Sequence, residues 1–317
     1  MRKKKAFKIA GIILAAVLVT VAAGCICGSV WTGKQVALGL LLQNEGKDTK
    51  QNSIRQLETW GYDIEAFEKE HSFQPLELTA DDGNVIPAQF FETPGSKKTA
   101  ILVHGLGGDH VSLYPLAEMY LKHDWNVLTF DQRASGDSSN PYVSFGYFEK
   151  RDVQALAAYA KQILSSDTVV VHGQSMGAAT AALYAAEPDA DEFVDALILD
   201  SCFDSMENMF LGVWRSMDTD GIPEDYVVAC GDRYLKYKYG FGFADADVSE
   251  ALKDVAVKTL MLQMCRDDIV PTETAKKMYQ NLMAPEKKIC YFNSEHVEGI
   301  IDDPLSYEEA VFSFLQK

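Results

Sequence analysis

Basic residues are scarce in this 317-residue sequence. Lysine and arginine number 29 against 46 aspartates and glutamates, which gives a formal net charge of −17. Nucleic-acid binding depends on clustered basic side chains that neutralise phosphates, so this balance argues against a nucleic-acid partner. We interpret the excess of acidic residues as a solubility feature, and it identifies no substrate.

Cysteine is also sparse, and the sequence contains neither a Pro/Ser-rich linker nor an internal repeat. None of the six cysteines has a partner at a spacing typical of a metal site, and no disulfide pairing can be read from them. We interpret them as buried free thiols. They are Cys25, Cys27, Cys202, Cys230, Cys265 and Cys290.

The chain begins with a basic cluster, which is followed by an uncharged run over residues 9–31. At ~1.5 Å per residue a helix of this length spans about 34 Å, enough to cross a bilayer. Because basic residues stay on the cytoplasmic side, we predict a cytoplasmic tip and a transmembrane signal-anchor over residues 1–31. The rest of the chain would then lie outside the cytoplasm, held at the cell membrane by a single pass.

Two alternatives to an anchor remain at this stage. A cleaved signal peptide usually has a shorter apolar core than residues 9–31 provide. A lipoprotein signal would use Cys25, but the leucine that usually stands three residues before such a cysteine is absent.

Residues 32–71 are polar and helical in pattern, and we predict a helical spacer there that packs beside the main domain or separates it from the membrane. From residue 72 to 317, short apolar runs alternate with helical stretches, which predicts one α/β domain with a mostly parallel sheet flanked by helices. The first two runs flank Asp81-Asp82-Gly83-Asn84 and predict a hairpin. The eight strands are predicted at residues 73–78, 85–91, 100–103, 126–130, 168–171, 196–199, 259–262 and 289–292.

One gap interrupts this alternation between residues 199 and 259. The gap is rich in methionine and aromatic residues. We predict an inserted helical cap at about residues 203–250, and we interpret most of its aromatic side chains as packing residues.

The pentapeptide Gly173-Gln174-Ser175-Met176-Gly177 is the most informative motif. A strand-like run precedes it and a helix of small residues follows, as a nucleophile elbow requires. The chain turns so sharply there that only glycine tolerates the crowding on either side of the serine. The helix that follows points its amides at any anion that forms at this turn. Ser175 is therefore the predicted nucleophile.

A serine hydroxyl needs a base to take its proton, normally a histidine that a carboxylate orients. His296 is the best candidate because it lies straight after the last strand, at the end of the sheet where such folds build their sites. His104 and His172 end apolar strands, and we interpret them as packing residues. His110 lies in a loop after a strand, from which it could line the site.

The carboxylate should stand between serine and histidine in the chain. Asp267 and Asp268 share the loop after the strand at residues 259–262, and position alone does not separate them. Asp200, at the end of an earlier strand, is a third possibility.

The oxyanion of a tetrahedral intermediate needs two N–H donors. One is predicted to be the backbone amide of Met176, directly after the nucleophile. The other is predicted at Leu106, in the glycine-rich loop Gly105-Leu106-Gly107-Gly108 after the strand at residues 100–103. This loop lacks the Lys-Ser/Thr ending of a phosphate loop, and its glycine spacing is wrong for a dinucleotide site.

Taken together, these motifs resemble those of the α/β-hydrolases, in particular the bacterial, membrane-anchored YqkD-like proteins grouped with the serine-aminopeptidase-like hydrolases. The resemblance covers about residues 73–317, and Met264-Cys265 stands where related proteins often carry His-Gly. It rests on His104-Gly105-x-Gly107, Asp131-Gln132-Arg133-Ala134-Ser135-Gly136-Asp137-Ser138, Gly146-x-x-Glu149-x-x-Asp152, Gly173-x-Ser175-x-Gly177, Asp267-x-x-Val270-Pro271 and Ser294-Glu295-His296.

The resemblance implies an α/β-hydrolase fold and favours Asp267 as the acid, because the family's acid stands four residues before the proline at position 271. We therefore expect a serine hydrolase that cleaves an ester, thioester or related acyl bond of a small substrate, without a metal or cofactor. The alternatives are a peptidase or amidase on cell-envelope peptides and a non-catalytic, membrane-anchored binding protein on a hydrolase scaffold.

Overall fold

The structure is a computed structural model that describes residues 2–217 and 221–316, with side chains described from residue 19 onward. The chain divides into two compact units. The smaller unit comprises Met1–Leu40 and Leu211–Phe243, and the larger unit comprises Leu41–Phe210 and Ala244–Lys317.

The larger unit is built on an eight-stranded sheet whose strand order is β1-β2-β4-β3-β5-β6-β7-β8. β1 pairs antiparallel with β2 and β2 antiparallel with β4, while all the other neighbouring strands are parallel. This confirms the predicted leading hairpin and mostly parallel sheet. The strands are β1 (Gln74–Thr79), β2 (Val85–Phe91), β3 (Lys98–Val103), β4 (Asn126–Phe130), β5 (Thr168–Gln174), β6 (Ala196–Asp200), β7 (Lys258–Met264) and β8 (Lys287–Phe292).

Strand β3 lies at the point where the order of the sheet reverses. The chain passes from β3 to β4 on one side and then crosses to β5 on the other side of β3. The loops that leave the carboxyl ends of β3 and β5 therefore separate and open a crevice between them, which is where open α/β sheets bind their ligands.

Helices cover both faces of the sheet. α4 and α13 pack with alternate residues of the central strands in one buried apolar cluster, and α5 and α6 contact β3 and β5. In chain order the helices are α1 (Arg2–Leu41), α2 (Thr49–Thr59), α3 (Ile64–Glu70), α4 (Tyr114–Lys122), α5 (Glu149–Gln162), α6 (Met176–Ala185), α7 (Ala190–Phe193), α8 (Met206–Ser216), α9 (Glu224–Tyr239), α10 (Val248–Ala251), α11 (Thr272–Asn281), α12 (Gly299–Asp302) and α13 (Pro304–Leu315).

The predicted spacer at residues 32–71 is divided between the two units in the structure. α1 continues without a break to Leu41, past the predicted boundary at residue 32. α2 and α3 belong to the larger unit, where Leu57 and Phe67 are buried in its apolar cluster. The Phe67 ring stacks on Tyr114 with 4.4 Å between ring centroids. These two helices therefore contribute to the apolar core of the larger unit.

In the smaller unit, α1 packs closely against α9. A side chain at Gly33 would overlap the Cys230 carbonyl, and one at Gly231 would overlap Val36. The predicted cap at about residues 203–250 corresponds to α8, α9 and α10, whose residues fall partly in each unit.

The predicted membrane span at residues 9–31 lies partly outside the described side chains. Within the described part of the chain, no helix combines the length and apolar character that a membrane crossing requires.

Our interpretation of the cysteines as buried thiols is correct for two of them and wrong for three. Cys202 and Cys230 are buried, whereas Cys25, Cys27 and Cys265 are exposed. All six described cysteines are free. Local composition did not reveal this difference, because burial depends on which loop or helix face covers each thiol.

The motif residues that follow β4 hold the edge of the sheet through a buried ion-pair network. Arg133 is 4% exposed and makes paired hydrogen bonds to Asp82 (2.8 and 3.0 Å) and to Asp152 (3.0 and 2.8 Å). Asn84 donates a further bond of 3.0 Å to Asp152. The hairpin turn, the loop after β4 and helix α5 are therefore tied together by one guanidinium group.

His172 is a buried, neutral histidine on strand β5. Its Nε2 lies 3.0 Å from the Tyr307 hydroxyl and its Nδ1 lies 3.2 Å from the Tyr120 hydroxyl. Because Tyr307 donates its own proton to Asp200, Nε2–H donates to Tyr307 and Nδ1 accepts from Tyr120. Burial lowers the pKa of His172 to about 3. The sequence-based interpretation of His172 as a packing residue agrees with this position.

We predict that His172 makes the protein acid-sensitive. Below its unfolded pKa of about 6.5, the unfolded chain binds a proton that the folded chain excludes, so stability falls by about 1.4 kcal/mol per pH unit towards pH 3. His172→Gln should remove this contribution from the slope of unfolding free energy against pH, measured by urea denaturation. His71→Gln, at a partly exposed histidine, should retain it. Equal slopes for wild type and His172→Gln would contradict the prediction.

Candidate active site

Ser175 occupies a strained turn between β5 and α6. Its φ of 54° and ψ of −116° place a non-glycine residue in a conformation that side chains rarely adopt. Side chains at the flanking glycines would overlap backbone atoms, Gly173 with the Gly177 carbonyl and Gly177 with the Val103 carbonyl. The turn therefore requires glycine at both positions, as the pentapeptide predicted. The backbone amide of Ser175 donates a 2.8 Å hydrogen bond to the Asp200 carbonyl, which fixes the turn.

The structure brings Ser175, His296 and Asp267 together in series. His296 Nε2 lies 2.8 Å from Ser175 Oγ, and His296 Nδ1 lies 2.7 Å from Asp267 Oδ2. A carboxylate only accepts hydrogen bonds, so Nδ1 carries the proton and Nε2 is free to accept from the serine hydroxyl. The serine and the histidine are partly exposed, whereas the Asp267 side chain is fully buried.

Asp267 is held in place by its own loop. Its Oδ1 accepts hydrogen bonds from the amides of Ile269 (2.9 Å) and Val270 (2.8 Å), which leaves Oδ2 directed at His296. The neighbouring Asp268 is exposed. Of the two carboxylates that the sequence left open in this loop, the structure therefore places Asp267 beside the histidine.

Asp200, the third candidate, bonds elsewhere. Its carboxylate is fully buried and accepts hydrogen bonds from the Tyr307 hydroxyl (2.7 Å), Gln174 Nε2 (3.1 Å) and Ser201 Oγ (2.9 Å). Burial raises the pKa of this carboxyl above its ordinary value, against the effect of these three donors. Ser201 Oγ in turn accepts from the amide of Val297 at 3.3 Å.

Asp200 therefore connects the turn at Ser175 with the loop that carries His296. Through Gln174 and its own carbonyl it fixes the turn at Ser175, and through Ser201 it reaches the residue next to His296. The serine and histidine loops therefore share one buried anchor.

The glycine-rich loop after β3 lies beside the serine. A Cβ built on Gly105 would be 3.9 Å from Ser175 Oγ, and Leu106 lines the same cavity as Ser175 and His296. Met176 is the first residue of α6, so its amide has no acceptor in the preceding turn of that helix. Both predicted donors therefore stand next to the serine.

The cavity at Ser175 has a volume of about 230 Å³. Several of the side chains that line it were missed from the sequence, among them Gln56 and Trp60 at the end of α2 and Met209 on α8. The Trp60 indole is held by a 2.9 Å bond to Glu298. The sequence signals were Trp60 itself, a large aromatic residue at the end of a polar helix, and the methionine-rich composition of the cap that contains Met209.

His110, which the sequence placed near the site, bonds to Asp131 instead. Its Nδ1 lies 2.7 Å from Asp131 Oδ1, and it lines a different cavity from Ser175. His104 is fully buried and accepts a 3.0 Å bond from the amide of Gln132, as expected for a packing residue.

The sheet order, the turn at Ser175 and the crevice at the strand ends are those of an α/β-hydrolase. The family described as alpha/beta hydrolase fold matches residues 99–224, and the chain has the fold of that superfamily. It is 25% identical to the protein of Bacillus subtilis named YqkD, described as uncharacterized, over 85% of this chain and 88% of that protein.

Two further comparisons carry the names of enzymes. A proline iminopeptidase of Saccharolobus solfataricus is 31% identical over 37% of each chain. The structure of an esterase from Pyrococcus furiosus superposes with a TM-score of 0.64 at 22% identity, over 80% of this chain and 95% of that one. At this identity the superposition establishes the fold alone.

We predict that Gly177→Ala removes the turn at Ser175. The added methyl would overlap the Val103 carbonyl, and relieving that overlap should cost more than about 3 kcal/mol of unfolding free energy. Urea denaturation and covalent labelling of Ser175 by a fluorophosphonate measure the two consequences. Gly212→Ala on α8, where a Cβ meets nothing within 4 Å, should change stability by no more than about 1 kcal/mol. Normal stability and labelling of Gly177→Ala would refute the steric argument.

Proposed function

We propose that this protein is a serine hydrolase that cleaves an ester, thioester or related acyl bond through an acyl-enzyme intermediate. One observation carries the proposal, namely the hydrogen-bonded series from Asp267 through His296 to Ser175. The superfamily and the esterase fold relative support a hydrolase.

In the proposed first step, Ser175 Oγ attacks the acyl carbon as His296 Nε2 takes its proton. Asp267 holds the imidazole in the required tautomer and stabilises the imidazolium that forms. The oxyanion accepts hydrogen bonds from the amides of Leu106 and Met176, and each such donor typically contributes ~2.7–4 kcal/mol. His296 then protonates the leaving group.

The second half of the reaction reuses the same groups. Water enters the cavity and loses a proton to His296 as its oxygen attacks the acyl-enzyme. Collapse of this second intermediate releases the acid and returns the proton to Ser175. No step requires a metal or cofactor.

The lining of the cavity favours a neutral acyl substrate. Its lining includes no carboxylate, lysine or arginine side chain, and it includes the apolar surfaces of Trp60, Met209 and Ile269. The cavity is small, which suits a short acyl chain.

A peptidase or amidase is the second candidate, and the proline iminopeptidase relative favours it. An aminopeptidase would need an anionic group to hold the substrate's amine. Glu298, which accepts a hydrogen bond from Trp60 at the cavity wall, is the candidate for this group.

We predict that substitutions at the two neighbouring aspartates have different effects on kcat. Asp267→Asn should lower kcat for a short nitrophenyl ester by about 10⁴-fold, because the amide no longer holds the correct imidazole tautomer. Asp268→Asn is the matched control and should change kcat by less than about threefold, since its side chain is exposed. Ser175→Ala should abolish both turnover and fluorophosphonate labelling.

The outcomes distinguish the candidates. If the wild-type protein turns over an aminoacyl amide but not the ester, the result would favour the peptidase. Labelling of Ser175 without turnover of either substrate would leave a reactive serine whose substrate differs from both. Equal turnover by wild type and Ser175→Ala would refute the proposed nucleophile, and an unlabelled wild type would revive the binding-protein alternative.

We also propose that residues 9–31 anchor the chain in the cell membrane, with the catalytic domain outside the cytoplasm. The uncharged run and its preceding basic cluster support this. The full chain and Cys25→Ala should both remain in carbonate-washed membranes. Release of Cys25→Ala alone would indicate a lipoprotein instead, and a soluble full chain would contradict anchoring altogether.

A further inference from the structure

A second cluster of titratable side chains lies outside the Ser175 cavity. Asp109 and His110 stand in the loop after β3, and Asp131 directly follows β4. One ligand atom from each of the three lies within 4.8 Å of the others. His110 Nδ1 is 2.7 Å from Asp131 Oδ1 and 3.9 Å from Asp109 Oδ2. All three residues are buried.

The Asp109 carboxylate is incompletely satisfied. Its Oδ1 accepts a 3.1 Å bond from the amide of Val111, but its Oδ2 is buried and has no hydrogen-bond partner. A buried carboxylate oxygen without a partner is costly, and a second carboxylate beside it adds repulsion. The orphan oxygen belongs to the same set of ligand atoms as His110 and Asp131, which points to a cation among them.

The three side chains are held in place before any ion binds. Asp131 Oδ1 accepts from the His110 amide at 3.0 Å, and its Oδ2 accepts from the Asp137 amide at 2.9 Å. The Asp109 amide donates to Ser53 Oγ at 3.0 Å. Outer contacts of this kind orient metal ligands and fix their geometry.

An opening leads to the cluster from solvent. A cavity of about 340 Å³ is lined by Asp109 and His110 together with Thr49 and Gly136. The lining also includes two lysines, whose charge opposes a cation, and two further carboxylates, whose charge favours one, namely Lys47, Lys50, Asp48 and Asp137.

We propose that Asp109, His110 and Asp131 form a binding site for one divalent transition-metal ion, with Zn²⁺ the ion that this donor set suits best. One imidazole nitrogen and two carboxylate oxygens match Zn²⁺ chemistry, and water from the cavity supplies the remaining position. On binding, the metal replaces the proton that His110 shares with Asp131, and that proton leaves to solvent. The ion would bridge the loops after β3 and β4 as a structural element, a few residues beyond Leu106.

The test is Zn²⁺ titration of the detergent-purified full chain after treatment with EDTA, read by competition with a fluorescent chelator. We expect one equivalent bound by wild type. Asp109→Asn and His110→Gln should bind at least tenfold more weakly. Asp268→Asn is the control, because Asp268 is an exposed carboxylate in the loop after β7 and does not line this cavity. It should bind as wild type does.

Because the chain contains exposed thiols, Co²⁺ spectra identify the ligands. Bound Co²⁺ should show visible d–d bands without the near-ultraviolet charge-transfer band of thiolate ligation. A thiolate band alone, the absence of saturable binding, or equal binding by wild type and Asp109→Asn would each overturn the proposal. The last two results would leave a protonated His110 as the only cation in the cluster.

Thermal unfolding separates loss of metal from loss of fold. Without metal, Asp109→Asn should unfold at or above the wild-type temperature, because the amide keeps the bond to Val111 and removes the like charge. With Zn²⁺, only wild type and Asp268→Asn should gain stability. Equal Zn²⁺-induced shifts in Asp109→Asn and wild type would overturn the site even if the stoichiometry were one.

Discussion

The close approach of helix α6 to the end of strand β3 is the contact on which the candidate active site depends. Gly177 lies so near the Val103 carbonyl that no side chain fits between them. This approach forces the chain at Ser175 into its strained turn and brings the start of α6 under the serine. The strain is offset by the packing around it, because Ser175 N–H is bonded to β6 and α6 is buried along its length.

The same region explains how residues far apart in sequence meet. Ser175, Asp267 and His296 each follow the carboxyl end of a parallel strand, and β5, β6, β7 and β8 are consecutive neighbours in the sheet. The strand ends, together with the short hydrogen-bonded loop that holds Asp267, set the serine–histidine–aspartate distances. The walls of the cavity come instead from α2 and α8, which places substrate selection on elements outside the sheet.

Buried polar groups divide into two kinds in this protein. Around Asp200 and Arg133 every partner is supplied by the chain, and each of these groups joins elements that are distant in sequence. At Asp109 one oxygen lacks a partner. This contrast led us to infer a metal ion at that cluster, since a buried carboxylate is normally satisfied by its surroundings.

Much of the fold was predictable because its signals are local. All eight strands appeared as apolar runs, and the glycines around Ser175 identified the turn, since steric crowding at a turn acts over a few residues. His296 was identified by its place after the last strand. The exposure of Cys265 and the burial of Cys202 were not predictable, because neither depends on neighbouring sequence.

The sequence by itself determined the alternation of strands and helices, the turn at Ser175 and the order of serine, aspartate and histidine. The family resemblance favoured Asp267, but only the tertiary structure shows that Asp267, and neither Asp268 nor Asp200, is bonded to His296, since all three follow strands and differ in which neighbours reach their oxygens. It also decided that α2 lines the cavity. Periodicity reports which face of a helix is apolar, but the partner of that face is chosen by contacts between residues far apart in the chain.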